Sequence, residues 1–418
     1  MSLARSKVTR RAFLAGSAAA VSFFGKRLPA EVEGVPIRAI TKGPGFHWFA
    51  YYDKFQFDPT DRYALGMKVL FEHRSPTPQD SIEIGMIDLA EGDRWIPLGE
   101  TTAWCWQQGC MLQWRPGSAT EIVYNGRGDE GYVCHIQDVV TGAKRTISSP
   151  IYALAPDGRT AVTPDFRRIA NLRPGYGYVG FPDPFAHERA PEQSGIWRVN
   201  LESGRSDLII SLAQAAAIRW PYADFGDAVH WFNHLLVNPT GTRFVFLHRW
   251  KLPDEKSWRT RMFSSNMDGS ELRVLIGSGF VSHFIWRDET HVLAYSKPEP
   301  DAAWGFYLYE DVPNGRVEQV GAGVMGPGDG HCNYLPGNEW IVCDTYPDKN
   351  RYQHVYLYHV PSNRRIELAS LLSPAEYAGE WRCDTHPRVS RTGKFITVDS
   401  PHEGGREIYL IDVSKIIG

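Results

Sequence analysis

The chain has 418 residues and a formal net charge of −3 at pH 7, from 45 basic and 48 acidic side chains. This near balance gives no electrostatic reason to expect nucleic acid or an anionic membrane surface as a partner. Aromatic residues at 13% and 39 glycines are typical of a protein rich in strands and turns.

The N-terminus, residues 1–30, predicts an export signal and not a part of the fold. The paired arginines Arg10 and Arg11 in "TRRAFL", followed by the mildly apolar run "AGSAAAVSFF", resemble a twin-arginine signal peptide. The run is too short to span a bilayer as a stable helix. We expect cleavage near Ala30, the twin-arginine export machinery as a partner, no stable membrane anchor, and a periplasmic or secreted protein. An uncleaved N-terminal anchor is the alternative.

From residue 46 onward the chain repeats one unit, made of an apolar strand, a turn with Pro, Gly or Asp, and further strands rich in Val, Ile, Tyr, Phe and Trp. We count seven units, at 46–98, 104–147, 149–212, 230–277, 282–321, 329–370 and 384–415. Units of this length with up to four strands predict an all-β fold, a seven-bladed β-propeller, as one domain over 46–418. The one helix predicted is short, at 208–218.

The last unit lacks an obvious extra strand. The segment "VPIRAIT" (35–41), within the N-terminal stretch 31–45, is apolar enough to supply it. Our hypothesis is that this segment closes the ring.

Four histidines occupy the same place in units four to seven. His234, His283, His331 and His386 each lie seven residues before the turn that follows a short apolar strand. Equivalent positions of a radial repeat converge on one axis, so four imidazoles are predicted to meet there. The same position holds Lys54, Met111 and Ile151 in units one to three. This asymmetry favours a one-sided functional site over a purely structural repeat residue.

The strands next to these histidines are expected to end on the same face, because neighbouring strands of a blade run antiparallel. This places Arg249, Lys297 and Tyr346 at the rim. Two tyrosines of the loop "RPGYGY", Tyr176 and Tyr178, are further candidates. A cationic pocket with aromatic walls suits an anionic sugar such as a uronate or a sulfated glycan.

A group of three or four imidazoles is a metal-binding pattern that suits a divalent ion such as Zn or Mn. Cys383 lies three residues before His386 and is a further candidate ligand. A cysteine ligand would favour Zn, whereas an oxygen-rich set would suit Mn equally well.

In its repeat and its histidines the chain resembles the seven-bladed propeller polysaccharide lyases, namely oligogalacturonate lyase and the ulvan lyases. That family has a histidine base, followed by a metal site of three histidines and a glutamine. His234 is similar to the base and His283 to the first metal histidine. The family's Gln-x-x-His-x-His run corresponds to residues 383–388, where His386 matches, Cys383 replaces the glutamine and Arg388 replaces the second histidine.

The resemblance implies metal-assisted β-elimination on a uronic-acid-containing glycan. His331 would take the place of the family histidine that is Arg388 here. The metal would then be held by His283, His331 and His386, with Cys383 as a further ligand. His234 would be the base, Arg249 would assist on the substrate carboxylate, and Tyr176 or Tyr178 would be the acid.

Two other functions remain open at this level. A glycoside hydrolase needs two carboxylates about 5–10 Å apart, and four aspartates, Asp329, Asp344, Asp384 and Asp399, lie near the predicted rim. A non-catalytic binding scaffold of the TolB or WD40 type has similar turns, but it would not need the four-histidine arc.

Overall fold

The computed structural model describes residues 35–326 and 328–418, so the predicted export signal lies outside the described residues. The described chain forms seven four-stranded antiparallel sheets. Set around one central channel, they make a seven-bladed β-propeller, which confirms the fold class predicted from the repeat. Within the same residues, no helix is both long and apolar enough to cross a membrane.

The strands are numbered in chain order, and the first strand of each repeat is the innermost one of its blade. The N-terminal strand β1 is Ile37–Ala39. Blade one has β2 (Phe46–Trp48), β3 (Tyr63–Val69), β4 (Ile82–Asp88) and β5 (Arg94–Thr101). Blade two has β6 (Gln113–Trp114), β7 (Glu121–Arg127), β8 (Tyr132–Asp138) and β9 (Lys144–Ile147). Blade three has β10 (Ala153–Leu154), β11 (Thr160–Pro164), β12 (Gly195–Asn200) and β13 (Ser206–Ser211).

The remaining blades follow the same order. Blade four has β14 (Val229–Val237), β15 (Arg243–Lys251), β16 (Arg259–Asn266) and β17 (Arg273–Ile276). Blade five has β18 (Val281–Trp286), β19 (His291–Ser296), β20 (Gly305–Glu310) and β21 (Val317–Val320). Blade six has β22 (Asn333–Tyr334), β23 (Trp340–Asp344), β24 (Tyr352–His359) and β25 (Arg364–Leu372). Blade seven has β26 (Arg388–Val389), β27 (Phe395–Ser400) and β28 (Glu407–Asp412).

Blade seven takes its fourth strand from the other end of the chain. β1 pairs antiparallel with β28, with Ile37 opposite Ile411 and Ala39 opposite Tyr409. The next residue, Ile40, is 1% exposed and belongs to the core cluster that also contains residues of blade one. The two ends of the chain are therefore held in a single sheet.

The core lies between neighbouring blades. Because alternate side chains of a strand point to its two faces and both faces are covered, the blade strands are apolar on both sides. Trp48 of blade one packs on Trp104 and Trp106, with ring centroids 5.7 and 5.6 Å away. Leu247 of blade four and Val292 of blade five share another such cluster.

Helices are few and short, and one of them departs from the prediction. Of the predicted helix at 208–218, only Leu212–Ala217 (α2) is helical, because the apolar residues before it complete β13. α2 begins at Ser211, whose side chain forms a capping box with Gln214. The described chain ends in a four-residue helix, Ser414–Ile417.

Two long connections cover the face of the ring on which the histidines lie. The first, residues 165–194 between β11 and β12, contains α1 (Phe166–Leu172), which begins at Asp165. Its buried Arg168 donates to the carbonyl oxygens of His230 and Glu188 at 2.7 and 2.8 Å, which ties the connection to blade four. The second, residues 373–387 between β25 and β26, contains a 3₁₀ turn at Gly379–Trp381.

Candidate active site

The four predicted histidines converge on the ring of one tyrosine, Tyr52. Its centroid lies 5.2 Å from that of His331, 5.6 Å from His234, 6.0 Å from His283 and 6.2 Å from His386. Each of the four histidines exposes 6% or less of its surface. The equivalent repeat positions therefore form one compact, enclosed cluster.

Two of the four histidines have an unusual backbone conformation. His234 has φ 47° and His386 has φ 44°, both in the left-handed region, and Met111 at the same repeat position has φ 58°. The register of β14 with β15 shifts between Asn233 and Leu235, so His234 sits at a β-bulge. Bulges re-aim single side chains, and they are common next to active sites.

Asp344 fixes the orientation of His331. The Nδ1 atom of His331 lies 3.0 Å from each of the two carboxylate oxygens of Asp344. Nδ1 therefore carries the hydrogen, which leaves the lone pair on Nε2. Although burial alone would lower the pKa of His331, Asp344 raises it above its ordinary value. The second oxygen of Asp344 also accepts from the hydroxyl of Thr385 at 2.5 Å and from the backbone N–H of His386 at 3.1 Å.

Three ligand atoms stand close together beside this anchor. Nitrogens of His331 and His386 and a carboxylate oxygen of Asp384 all lie within 4.8 Å of one another, and all three residues are buried. Within the part of the chain that the structure describes, the Nε2 atoms of both histidines have no hydrogen-bond partner. Buried polar atoms are normally satisfied, so two orphaned imidazole nitrogens beside a carboxylate fit a divalent cation.

Two predicted ligands stand outside this group. His283 is adjacent, with its ring centroid 4.0 Å from that of His331, and its Nδ1 atom lies 3.0 Å from a carboxylate oxygen of Asp329. Cys383 is buried, and burial raises the pKa of its thiol well above the ordinary value. The close group of ligand atoms thus contains Asp384, and it does not include His283 or Cys383 of the predicted set.

His234 is held through both ring nitrogens. Its Nε2 lies 3.1 Å from a carboxylate oxygen of Asp53, and its Nδ1 lies 3.3 Å from the hydroxyl of Tyr51. Burial lowers the pKa of His234 to about 4, although Asp53 opposes this shift. Burial would raise the pKa of Asp53, but Lys54 and His234 hold it at about 2. His234 is thus a neutral imidazole that donates to a carboxylate and accepts from a tyrosine.

Arg249 is a buried cation that has no acidic partner among the described residues. It is 6% exposed, and its Nε and Nη1 atoms have no hydrogen-bond partner. Burial, together with repulsion from Arg173, lowers its pKa to about 9, whereas Tyr176 and Tyr51 raise it. The exposed ring of Trp258 lies 5.5 Å from the Arg249 guanidinium carbon and 4.5 Å from that of Arg173. Free guanidinium donors beside aromatic rings fit a carboxylate or sulfate group.

The two candidate tyrosines of the loop at 173–178 lie in different places. Tyr176 packs with Tyr51 and Tyr52, and its hydroxyl accepts from Nη2 of Arg382 at 2.5 Å. Burial would raise its pKa, but Arg382 and Arg173 bring it below the ordinary value. Tyr178 instead stacks on Phe166 in the core, with a centroid distance of 4.2 Å. The structure therefore brings Tyr176, and not Tyr178, to the histidines.

The four aspartates considered for a hydrolase are all engaged. Besides Asp344, Asp329 accepts from Ser282 at 2.6 Å, and Asp384 accepts from Arg382 at 2.7 Å. Asp399 accepts from Arg388 at 2.7 Å and from backbone N–H groups of blade one. The described residues thus offer no free pair of carboxylates at this site.

Four residues of the site were not assigned from the sequence, namely Tyr51, Tyr52, Asp53 and Arg382, and Asp384 was assigned only as a carboxylate near the rim. The sequence signals that could have pointed to them are the motif "YYDK" at 51–54 and the acid two residues before a histidine in "DTH" at 384–386. Tyr52 and Asp53 belong to unit one, on the arc of the ring that lacked histidines. Only the three-dimensional ring brings them to the opposite blades.

On the other side of Tyr52 the channel widens into a cavity of about 500 Å³. The residues that line this cavity lie where the innermost strands end in their turns, and they include Lys54, Phe55 and Trp286. None of the four histidines borders it. Tyr52 and Asp53 thus separate the histidine cluster from the far mouth of the channel.

Comparison with known proteins relates this architecture to solved structures. No family model matches the chain, and no curated protein sequence is significantly similar to it. An oligogalacturonate lyase from Vibrio parahaemolyticus superposes with a TM-score of 0.63 at 14% identity, over 92% of this chain and 96% of the other. An oligogalacturonate lyase in complex with manganese superposes with a TM-score of 0.65 at 16% identity, over 91% and 93%.

A different enzyme shares the architecture more distantly. The tricorn protease superposes with a TM-score of 0.50 at 13% identity, over 90% of this chain and 35% of that larger one. Likeness at these identities shows the fold, and propellers of this kind serve unrelated functions. The chain is therefore similar in fold to oligogalacturonate lyases, and its function has to be argued from its own site.

Proposed function

We propose that the protein is a lyase that cleaves a uronic-acid-containing glycan by metal-assisted β-elimination. The observation that carries the proposal is the pair of orphaned Nε2 atoms on His331 and His386 beside the carboxylate of Asp384. Among the described residues, the Nε and Nη1 atoms of Arg249 have no hydrogen-bond partner. Burial raises the pKa of Tyr51, whose hydroxyl contacts His234, and the charge of Arg249 opposes this rise.

The donor set supports a divalent cation, Mn or Zn. His331, His386 and Asp384 would hold it, and one carboxylate with two imidazoles suits either metal. When bound, the cation would act as a Lewis acid toward the substrate carboxylate, whose neutralisation makes the C5 proton more acidic.

Arg249 supplies the second positive group. Its guanidinium has free donors and no neutralising acid in residues 35–326 and 328–418, so a substrate carboxylate would be its partner. A lyase needs the negative charge that develops on this carboxylate to be stabilised in the transition state. The aromatic wall formed by Trp258 would keep the sugar ring beside this charge.

The base in our proposal is His234, acting through Tyr51. Asp53 accepts from Nε2–H, so the free electron pair of Nδ1 points at the hydroxyl of Tyr51. The C5 proton passes to the tyrosine oxygen while the tyrosine proton passes to Nδ1. The imidazolium that forms is stabilised by the carboxylate of Asp53, which acts as a positioning residue.

Tyr176 is the proposed acid. The electron pair of the broken C5–H bond forms the C4–C5 double bond, the C4–O4 bond breaks, and the departing O4 takes the hydroxyl proton of Tyr176. Arg382 and Arg173 lower the pKa of this hydroxyl and so make it a better proton donor. The product is an unsaturated uronide and a new reducing end.

The competing functions have less support from these side chains. A hydrolase would need a carboxylic acid and a carboxylate that are free to act, and the four aspartates are held by His331, Arg382, Arg388 and Ser282. A binding scaffold gives no reason for two buried imidazole nitrogens without partners.

We further propose that the protein is exported by the twin-arginine machinery and acts in the periplasm or outside the cell on an anionic glycan. The support is the sequence of the N-terminal segment alone. A fusion of residues 1–40 to a reporter tests it. Changing Arg10 and Arg11 to Lys should keep the reporter in the cytoplasm, whereas unchanged export would contradict this part of the proposal.

The reaction is tested with a panel of uronate polysaccharides and oligosaccharides, read by the near-ultraviolet absorbance of the unsaturated product. We expect activity with Mn or Zn, loss of activity with a chelator, and recovery on re-addition of the metal. The His234→Ala variant should be inactive while retaining its metal. Cleavage without the absorbance increase would identify a hydrolase, and full activity of the variant would remove His234 as the base.

A further inference from the structure

An aromatic platform stands on blade five, on the face where the histidines lie. β18 begins and β19 ends on this face, and Phe280 and Lys297 are the residues just beyond those strand ends. The rings of Tyr295 and Trp304 stack in parallel, with centroids 5.1 Å apart and an interplanar angle of 11°. Phe280 meets Trp304 edge-on at 5.9 Å. Trp304 nevertheless exposes 42% of its surface. Several aromatic rings exposed together indicate a surface that contacts a ligand or partner.

The loop that carries Trp304 is held in place by hydrogen bonds. The hydroxyl of Tyr307 donates to the carbonyl oxygen of Ala303 at 3.1 Å. Lys297 donates to the carbonyl oxygen of Pro300 at 3.1 Å. Glu299 accepts from the hydroxyl of Tyr222 at 2.5 Å, which ties the loop to the segment before blade four. A ring fixed in this way loses little conformational entropy when it binds a ligand.

The platform is continuous with the candidate active site. Tyr295 is partly buried and packs against the core cluster that contains Cys332, the residue after His331. At the start of the same blade, His283 has its Nδ1 atom 3.0 Å from a carboxylate oxygen of Asp329. The exposed Trp304 ring is thus joined to the histidine cluster through the packing of Tyr295.

We propose that the Tyr295–Trp304 platform binds a distal sugar ring of the same glycan whose uronate unit occupies the histidine site. The inference rests on the proposed function, because it takes the glycan to be the ligand. A pyranose ring has an apolar C–H face and a polar edge. A tryptophan ring has an apolar face and a polar N–H at its edge, so the two faces can stack while both edges stay solvated. Lys297 has ammonium hydrogens left for sugar hydroxyls beside the ring.

The chemistry of the platform is recognition of a ring face and not of a charge. Two exposed acidic residues, Glu299 and Asp301, lie in the loop that carries Trp304 and would repel a negatively charged group. A carboxylate on the distal ring would gain little here, whereas stacking on Trp304 is open to any ring with an unsubstituted C–H face. The platform therefore selects for chain length.

The test compares binding of a digalacturonide and a hexagalacturonide by calorimetry, with a chelator present to stop turnover. In the Trp304→Ala variant we expect the hexamer to bind roughly tenfold more weakly, and the dimer to bind within about twofold of the unchanged protein. Phe55→Ala is the matched control, since Phe55 is exposed to 40% but borders the far mouth of the channel.

Hexamer binding by Trp304→Ala equal to that of the unchanged protein would overturn the inference. So would an equal loss for dimer and hexamer, or a similar loss in Phe55→Ala. If the unchanged protein binds neither probe, the platform fails as a uronide subsite. If it binds both with the expected length dependence but cleaves neither when loaded with metal, the platform stands and the proposed lyase reaction fails.

Discussion

Both carboxylate oxygens of Asp344 lie 3.0 Å from Nδ1 of His331, and this contact decides which nitrogen of the histidine faces its neighbours. The hydrogen on Nδ1 leaves Nε2 as the atom without a partner, beside His386 and Asp384. The carboxylate that orients an imidazole commonly raises its basicity as a ligand.

Replacement of Asp344 by Asn should weaken metal binding while leaving the ligands themselves unchanged. An outer carboxylate of this kind is worth about 10- to 100-fold in metal affinity. The measurement is a competition titration of the purified protein against a chelator of known affinity. Thr385→Val is the control, because it removes only a neutral donor to the same carboxylate. Equal metal affinity in Asp344→Asn and the unchanged protein would show that this contact does not prepare a ligand.

Two neighbouring residues, Cys383 and Asp384, test which side chains hold the proposed metal. Asp384→Asn should lower the bound metal sharply, because the carboxylate belongs to the close group of ligand atoms. Cys383→Ala should retain the metal, because its thiol does not belong to that group. Elemental analysis of the two variants, purified side by side, gives the answer. The reverse result would restore the cysteine to the site.

The tyrosines of the loop at 173–178 offer a second matched pair. Tyr176→Phe should lower kcat by about 10²- to 10⁴-fold, the usual contribution of a general acid. Tyr178→Phe should keep nearly full activity and lose only about 1 kcal/mol of stability, since its hydroxyl accepts from Asn125 at 3.0 Å within the core. Steady-state kinetics and urea unfolding of both variants test this. Similar kcat values for the two variants would argue against Tyr176 as the acid.

The pH dependence follows from the environment of His234. A base must be unprotonated, and burial lowers the pKa of His234 to about 4. We expect kcat/KM to rise with pH through a limb near 4, below the ordinary histidine value, and to be flat from about pH 5 to neutrality. Asp53 raises this pKa, so Asp53→Asn should move the limb to lower pH and also reduce the rate. A limb near pH 6.5 in the unchanged protein would contradict a buried neutral His234.

The fold and the arc of histidines could be predicted because each repeat carries its own strand and turn signals. The register of His234, His283, His331 and His386 was readable in the sequence for the same reason. The distinction between Cys383 and Asp384 was not, because it depends on the direction of two adjacent side chains in a segment without regular structure. Tyr52 lies at the centre of the cluster, yet its position in unit one gives no local sign of this.

The most direct test of the metal site is elemental analysis of the purified protein and of a variant with both His331→Ala and His386→Ala. We expect about one equivalent of Mn or Zn in the unchanged protein and its loss in the double variant. A control with His359→Ala and His402→Ala, two histidines outside the cluster, should retain the metal. No bound metal in the unchanged protein, or equal metal in it and the double variant, would contradict the assignment of these side chains as ligands.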